Sequence, residues 1–166
     1  MGSQMTRTWA EISLDALRRN ARELQRVLPE GCGLLGVVKA DAYGHGAVPV
    51  AAALRGSGCR YLAVACPEEA FALRAAGESL PILILGAVDA AYAPALAERD
   101  ITQAVECEEK GRALAAALRP GQRLKIHLKL DTGMGRLGFP AGEETALRGA
   151  AAVMAAEPVV KGRAEQ

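Results

Sequence analysis

No apolar run in this sequence approaches the roughly 20 residues that a membrane-spanning helix needs, which excludes that class of membrane protein. Charge of one sign is missing as well. Twenty Lys and Arg face 19 Asp and Glu, for a net charge of +1, and no basic block stands out. The electrostatic footprint of a nucleic-acid binder or an acidic-membrane binder is therefore lacking. The four cysteines, Cys32, Cys59, Cys66 and Cys107, form no CxxC pair and no zinc-like spacing with the two histidines. No metal site is expected from them, and free thiols in a cytoplasmic protein are the reading they support. No secretory signal, low-complexity segment or long linker is recognised. Met1-Gly2-Ser3-Gln4-Met5 reads as an expression remnant ahead of a second start methionine, leaving residues 6–166 as the domain to be explained.

What the chain does have is apolar residues, 51% of the total and rich in alanine, the composition of a helix-rich globular protein. Its 166 residues suit one domain, which buries roughly 70% of the surface of its unfolded chain. Short apolar runs alternate with helical patterns. Leu14 to Val27 follows the cap candidate Ser13 with Leu14, Leu17, Ala21, Leu24 and Val27 on one face. Strands are expected at 34–38, 61–65, 82–85, 102–105 and 124–130, with a sixth beginning at Val159 and Val160. Helices are expected at 47–54, 67–74, 89–98, 108–118 and 143–155. Pro94 should split the third of these or kink it. Alternating strands and helices give a parallel sheet with right-handed crossovers. Two α/β architectures fit: an open doubly wound sheet, or part of a (β/α)8 barrel, which when complete takes about 250 residues.

Two segments carry chemistry. In Val37-Val38-Lys39-Ala40-Asp41-Ala42-Tyr43-Gly44-His45-Gly46, one lysine ends an apolar run and a Gly-bounded turn follows. A lysine desolvated in an apolar pocket can lose its proton at neutral pH. Its free amine is then a nucleophile for aldehydes, the chemistry by which enzymes hold pyridoxal phosphate. A solvated lysine at a strand end is the alternative.

The second segment, Lys125-Ile126-His127-Leu128-Lys129-Leu130-Asp131, alternates polar and apolar residues. A strand of this pattern puts Lys125, His127, Lys129 and Asp131 on one face. That face belongs either to a barrel interior holding a polar ligand or to a solvated edge strand. The strand runs into Gly133-Met134-Gly135-Arg136-Leu137-Gly138, a match to GxGxxG. A dinucleotide fingerprint requires a helix to open inside the motif. Here Pro140 and Gly142 delay the helix to about Glu143, which leaves a flexible Gly-rich loop or a loop that aims Arg136 into a site.

The first segment closely resembles the cofactor-lysine motif of alanine racemases. His127-Leu128-Lys129-Leu130-Asp131-Thr132-Gly133-Met134-Gly135-Arg136-Leu137-Gly138-Phe139 resembles the second signature of that family, and Trp9-Ala10-Glu11-Ile12-Ser13-Leu14-Asp15-Ala16-Leu17 its start. The resemblance runs from about Thr6 to about Gly162. It implies a (β/α)8 barrel followed by a β-rich C-terminal domain, in a homodimer. The implied cofactor is pyridoxal 5'-phosphate and the implied reaction is interconversion of L- and D-alanine, the D-alanine supply for peptidoglycan. By position, Lys39 matches the lysine that carries the cofactor and acts as base on one face of the substrate. Tyr43 matches the tyrosine that hydrogen-bonds the cofactor phosphate, and Val37 and Leu85 occupy strand positions that line the cofactor. Arg136 matches the arginine near the cofactor and the substrate carboxylate, and Lys129 the lysine that is often carbamylated and orients that arginine. His45 and His127 have structural readings at least as good as functional ones, Tyr61 and Tyr92 read as packing residues, and Asp131 as a residue that fixes the loop.

The family's second base is a tyrosine of the partner subunit's C-terminal domain, and no residue of this chain matches it. The chain is therefore expected to be the N-terminal portion of the barrel, about five βα units, inactive alone and completed by another copy or by a C-terminal fragment. A pyridoxal-phosphate-binding module without catalysis, or a purely structural fragment, is the alternative.

Overall fold

A computed structural model describes residues 8–155 and 160–161. Its strands are β1 (Leu35–Val37), β2 (Tyr61–Val64), β3 (Ile82–Ile84), β4 (Ile101–Val105) and β5 (Lys125–Leu128), followed by the two-residue β6 (Leu130–Asp131), β7 (Phe139–Pro140) and β8 (Val160–Lys161). All the strands of the main sheet pair in parallel, in the order β1-β2-β3-β4-β5-β8. Between them run α1 (Leu14–Arg26), the short turn α2 (Lys39–Gly44), α3 (Ala47–Arg55), α4 (Pro67–Ala75), α5 (Ala93–Glu98), α6 (Glu108–Ala117) and α7 (Glu144–Ala155). The expression remnant expected at residues 1–5, and Val159 of the sixth strand, lie outside the described residues.

Local chemistry sets several boundaries. The Ser13 hydroxyl accepts from the Ala16 amide at 3.2 Å and caps α1, with Asp15 in the first turn and Arg26 in the last. Pro67 occupies the first turn of α4, where its missing N–H costs nothing. Pro94 does the same for α5, so the segment 89–98 breaks into a 3-10 turn (Ala90–Tyr92) and a short helix. The strand expected to run through Leu130 instead stops at Leu128. The Lys129 amide still donates to Val105 O at 2.9 Å, but its carbonyl accepts from Phe139 N at 2.8 Å. The chain therefore leaves β4 for β7, and Asp131 leaves the polar face shared by Lys125, His127 and Lys129.

The two faces of the sheet differ. One carries Leu62, Val64, Ile82, Ile84, Ile101, Val105 and Ile126, packed with Val50 of α3, Leu73 of α4, Leu96 of α5, Leu114 of α6 and Val153 of α7. The other holds a small cluster of strand residues alone, Ala63, Leu83 and Ala104 with Tyr61 and Leu85 against it. A doubly wound sheet places helices on both faces and reverses its strand order. Here the order never reverses and the helices share one face, which is the arrangement of a (β/α)8 barrel. β5 lies between β4 and β8, so its polar face belongs to the barrel's inner side and not to an edge. On that side Lys125 pairs with Asp100, while the His127 ring sits 5.8 Å from the ring of Tyr61. Among the described residues β1 pairs with β2 alone, and its Leu35 and Val37 are 38% and 44% exposed. A cavity of about 350 Å³ opens beside it, lined by Leu17, Leu24, Leu34, Leu35, Val37 and Leu54.

Arg74 ties the loops that feed β3 and β4. Its guanidinium donates to the carbonyls of Glu78 (2.8 Å), Leu80 (2.7 Å), Arg99 (3.0 Å) and Asp100 (2.9 Å). A lysine cannot reproduce that fork. Arg74→Met should cost about 3 kcal/mol in urea unfolding, and Arg74→Lys should recover only part of it.

Candidate functional site

The residues singled out from the sequence lie at the C-terminal ends of the strands, the end at which barrels carry their chemistry. Lys39 stands two residues beyond Val37, half-buried at the end of β1. Leu85 follows β3, half-buried against the inner-face cluster. The strand register places Val37 beside Ala63 and Ala63 beside Leu83, so an apolar floor leads from β1 to β3 below the lysine. Tyr43 is 65% exposed, one turn after Lys39. Lys129 lies just past β5 and Arg136 in the loop between β6 and β7. Three strands, β2, β3 and β4, intervene in the sheet between Lys39 and Lys129. The site is thus two clusters along one rim.

A turn does follow Lys39, but its handedness was not foreseen. Ala40, Asp41, Ala42 and Tyr43 all have φ between 51 and 55°, a left-handed helical turn made without glycine. Such a conformation costs each non-glycine residue roughly 1–2 kcal/mol, so the surroundings must hold it. Ala42 N donates to Val38 O at 2.9 Å and Gly46 N to Asp41 O at 3.0 Å. The Asp41 carboxylate accepts from Ala47 N at 2.7 Å, fixing the start of α3. Glu69 of α4 accepts from Ala40 N at 2.6 Å through one oxygen and from Ala65 N at 2.7 Å through the other. Sequence reading missed both carboxylates. Asp41 stood inside the motif, but its run of Ala and Asp gives no sign of handedness. Glu69 follows Pro67 as an ordinary first-turn acid, and nothing in the sequence connects it with a backbone amide 29 residues away.

At the other cluster the Gly-rich loop folds back on its own strand. No helix opens inside it: α7 begins at Glu144, after the loop. Asp131 Oδ1 accepts from Gly133 N at 2.9 Å and Gly135 N at 3.1 Å, so Asp131 does fix the loop. Lys129 Nζ donates to Leu137 O at 3.0 Å, tying the other side of the loop that presents Arg136. The amides of Gly133 and Gly135 favour the ionised form of Asp131 and hold its carboxyl below the ordinary value of 3.8. A depressed folded value means that the contact stabilises the loop above the ordinary value and is lost as pH falls through the lower, folded one. Exchange of the Gly133 and Gly135 amides, corrected for intrinsic rate, should therefore accelerate only below about pH 3.8.

The chemistry of the set suits pyridoxal phosphate: a primary amine for its aldehyde, an apolar floor for its ring, and a phenol and a guanidinium for its anionic groups. Among the described residues no group of His, Cys, Asp and Glu could hold a metal ion, and no helix is long and apolar enough to cross a membrane.

Known proteins match the chain over most of its length. The family described as "Alanine racemase, N-terminal domain" matches residues 12–161. An alanine racemase of Desulfovibrio desulfuricans is 46% identical over 139 residues, which is 83% of this chain and 38% of that protein. An alanine racemase of Clostridium difficile, also solved in complex with cycloserine, superimposes with a TM-score of 0.88 at 36% identity, covering 96% of this chain and 42% of that one. A histidine racemase of Leuconostoc mesenteroides superimposes with a TM-score of 0.78 at 31% identity, covering 89% of this chain and 39% of its own. This chain therefore spans well under half the length of the relatives it matches. With a lysine closing the first strand, the Asp131–Arg136 loop after the fifth, and a family match over residues 12–161, the chain belongs to the alanine racemases, in their N-terminal barrel domain.

Proposed function

We propose that this chain carries the pyridoxal-phosphate site and one of the two bases of an alanine racemase. The observation that supports this most is Lys39, held at the C-terminal end of β1 by a bonded left-handed turn and set above an apolar strand floor. Bound pyridoxal phosphate supplies an electron sink that lets the α-proton of an amino acid leave. Lys39 would hold the cofactor through its amine, and as a free amine it would be placed to take or return the α-proton on one face of the substrate. Val37 and Leu85 would exclude water from the cofactor ring, and the Tyr43 hydroxyl would be available to donate to its phosphate. Arg136 presents a planar, permanently charged fork suited to the substrate carboxylate. Lys129 braces the Arg136 loop, and a carbamate on Lys129 would give that guanidinium an anion to pair with.

Inversion needs a second base on the opposite face, which this reading assigns to the partner subunit of a homodimer, in the portion of the enzyme beyond this chain. Cytoplasmic D-alanine supply for peptidoglycan follows from the same reading. The side-chain preference is alanine, supported by the alanine racemases it matches. The histidine racemase neighbour supports amino-acid racemisation with a different side chain as the second reading. The test is incubation of L-alanine or L-histidine with pyridoxal phosphate and the chain, with and without the rest of the barrel and the C-terminal domain as a separate piece. The expected outcome is D-alanine from the complemented protein only. D-histidine instead would move the substrate assignment, D-alanine from the chain alone would overturn the division of bases, and no D-amino acid from either would overturn the racemase reading.

A further inference from the structure

We propose that Glu69 is the positioning residue of Lys39, its carboxylate acting as the clamp that keeps the turn after the lysine left-handed. The proposal rests on Lys39 being the cofactor lysine. β1 and β2 remain hydrogen-bonded as far as Val38, whose amide donates to Ala63 O at 2.8 Å. Beyond that point the two chains separate. The next inward amides, Ala40 N and Ala65 N, are bonded not to each other's strand but to the two oxygens of Glu69, at 2.6 and 2.7 Å. The carboxylate is thus inserted where the backbone ladder ends. Ala40 N belongs to the peptide that joins Lys39 to Ala40, so fixing that N–H fixes the peptide plane that sets the direction of the lysine side chain.

Only a carboxylate of this length answers both amides. Glutamine offers one oxygen and turns an NH2 toward the other N–H, donor against donor. Aspartate keeps the charge but is one methylene short of spanning the pair. The neighbouring Glu68 is a natural control. It has the same charge and lies in the same helical turn, but accepts from the Tyr92 hydroxyl at 2.8 Å and touches neither amide.

The test uses the full chain with pyridoxal phosphate and borohydride, reading the rate of labelling at Lys39 by peptide mapping, together with amide exchange at Ala40 and Ala65. Loss of a charged hydrogen bond on this scale corresponds to about tenfold or more. Glu69→Gln should label Lys39 about tenfold more slowly while exchange at Ala40 and Ala65 rises at least as much, Glu69→Asp should fall between, and Glu68→Gln should match the parent. A purely structural Glu69 would lower the unfolding midpoint yet leave labelling of the folded protein unchanged, and that result would overturn the proposal. So would equal losses from Glu68→Gln. Should the parent chain give no label at Lys39, the cofactor reading fails by itself, and exchange still decides the clamp: amides equally open with and without Glu69 refute it. Should Glu69→Gln not fold, the parent's Ala40 and Ala65 amides must be protected, and rapid exchange at either refutes it.

Discussion

Lys39→Ala should abolish the adduct that pyridoxal phosphate forms with this chain, reducing borohydride-trapped label to background. The chain contains five lysines, Lys39, Lys110, Lys125, Lys129 and Lys161, so loss of one amine removes the signal only if the others contribute nothing. Two of them already have partners: Lys125 pairs with Asp100 at the opposite end of the sheet, and Lys129 donates to Leu137 O. Lys110 is exposed on α6, away from the apolar floor. Lys39→Arg keeps the charge but presents a guanidinium that stays protonated and cannot attack an aldehyde, so it should fail as completely as alanine. Far-ultraviolet circular dichroism should be unchanged in both, because Lys39 is half-buried at a strand end and is not one of the buried core residues. Retention of even half of the label in Lys39→Ala would remove the lysine from the site.

Gly138→Ala should be the most damaging single methyl in the second cluster. Gly138 has φ +130°, and a Cβ there would stand 2.8 Å from both Asp131 N and Lys129 O and 2.9 Å from Leu130 C. All three are backbone atoms of the strand that the loop folds against, so no side chain can turn aside to make room. The adjacent bonds, Phe139 N to Lys129 O and Ala141 N to Asp131 O, would have to lengthen, carrying Arg136 with them. Strain and lost pairing together should cost about 2–4 kcal/mol in urea unfolding and open the Gly133 and Gly135 amides to exchange. Gly142→Ala is the control: nothing lies within 4 Å of its added methyl, and its effect should stay within about 0.5 kcal/mol. Equal effects from the two would show that the loop is not packed as described.

The alternation of strands and helices was legible because apolar runs bounded by Gly and Pro fix elements locally. Pro94, for instance, split its helix as expected. Which face the helices cover was not legible. Ala63, Leu83 and Ala104 on the inner face carry no polar group, like Leu62, Ile82 and Ile101 on the outer one, so the strands read as buried on both sides. The place of Lys39 was legible from its position at the end of a strand. The handedness of the turn behind it was not, since Ala40, Asp41 and Ala42 all favour right-handed helix or turn conformations and are held otherwise by groups distant in sequence. The reach of Asp131 to the amides two and four residues on was legible, because that bond is local.

The most direct measurement is peptide mapping of the unmodified chain after addition of pyridoxal phosphate and borohydride reduction. The account predicts a single modified peptide, containing Lys39, at close to one label per chain. Label distributed over Lys110, Lys125, Lys129 and Lys161, or concentrated on any of them in place of Lys39, would contradict it.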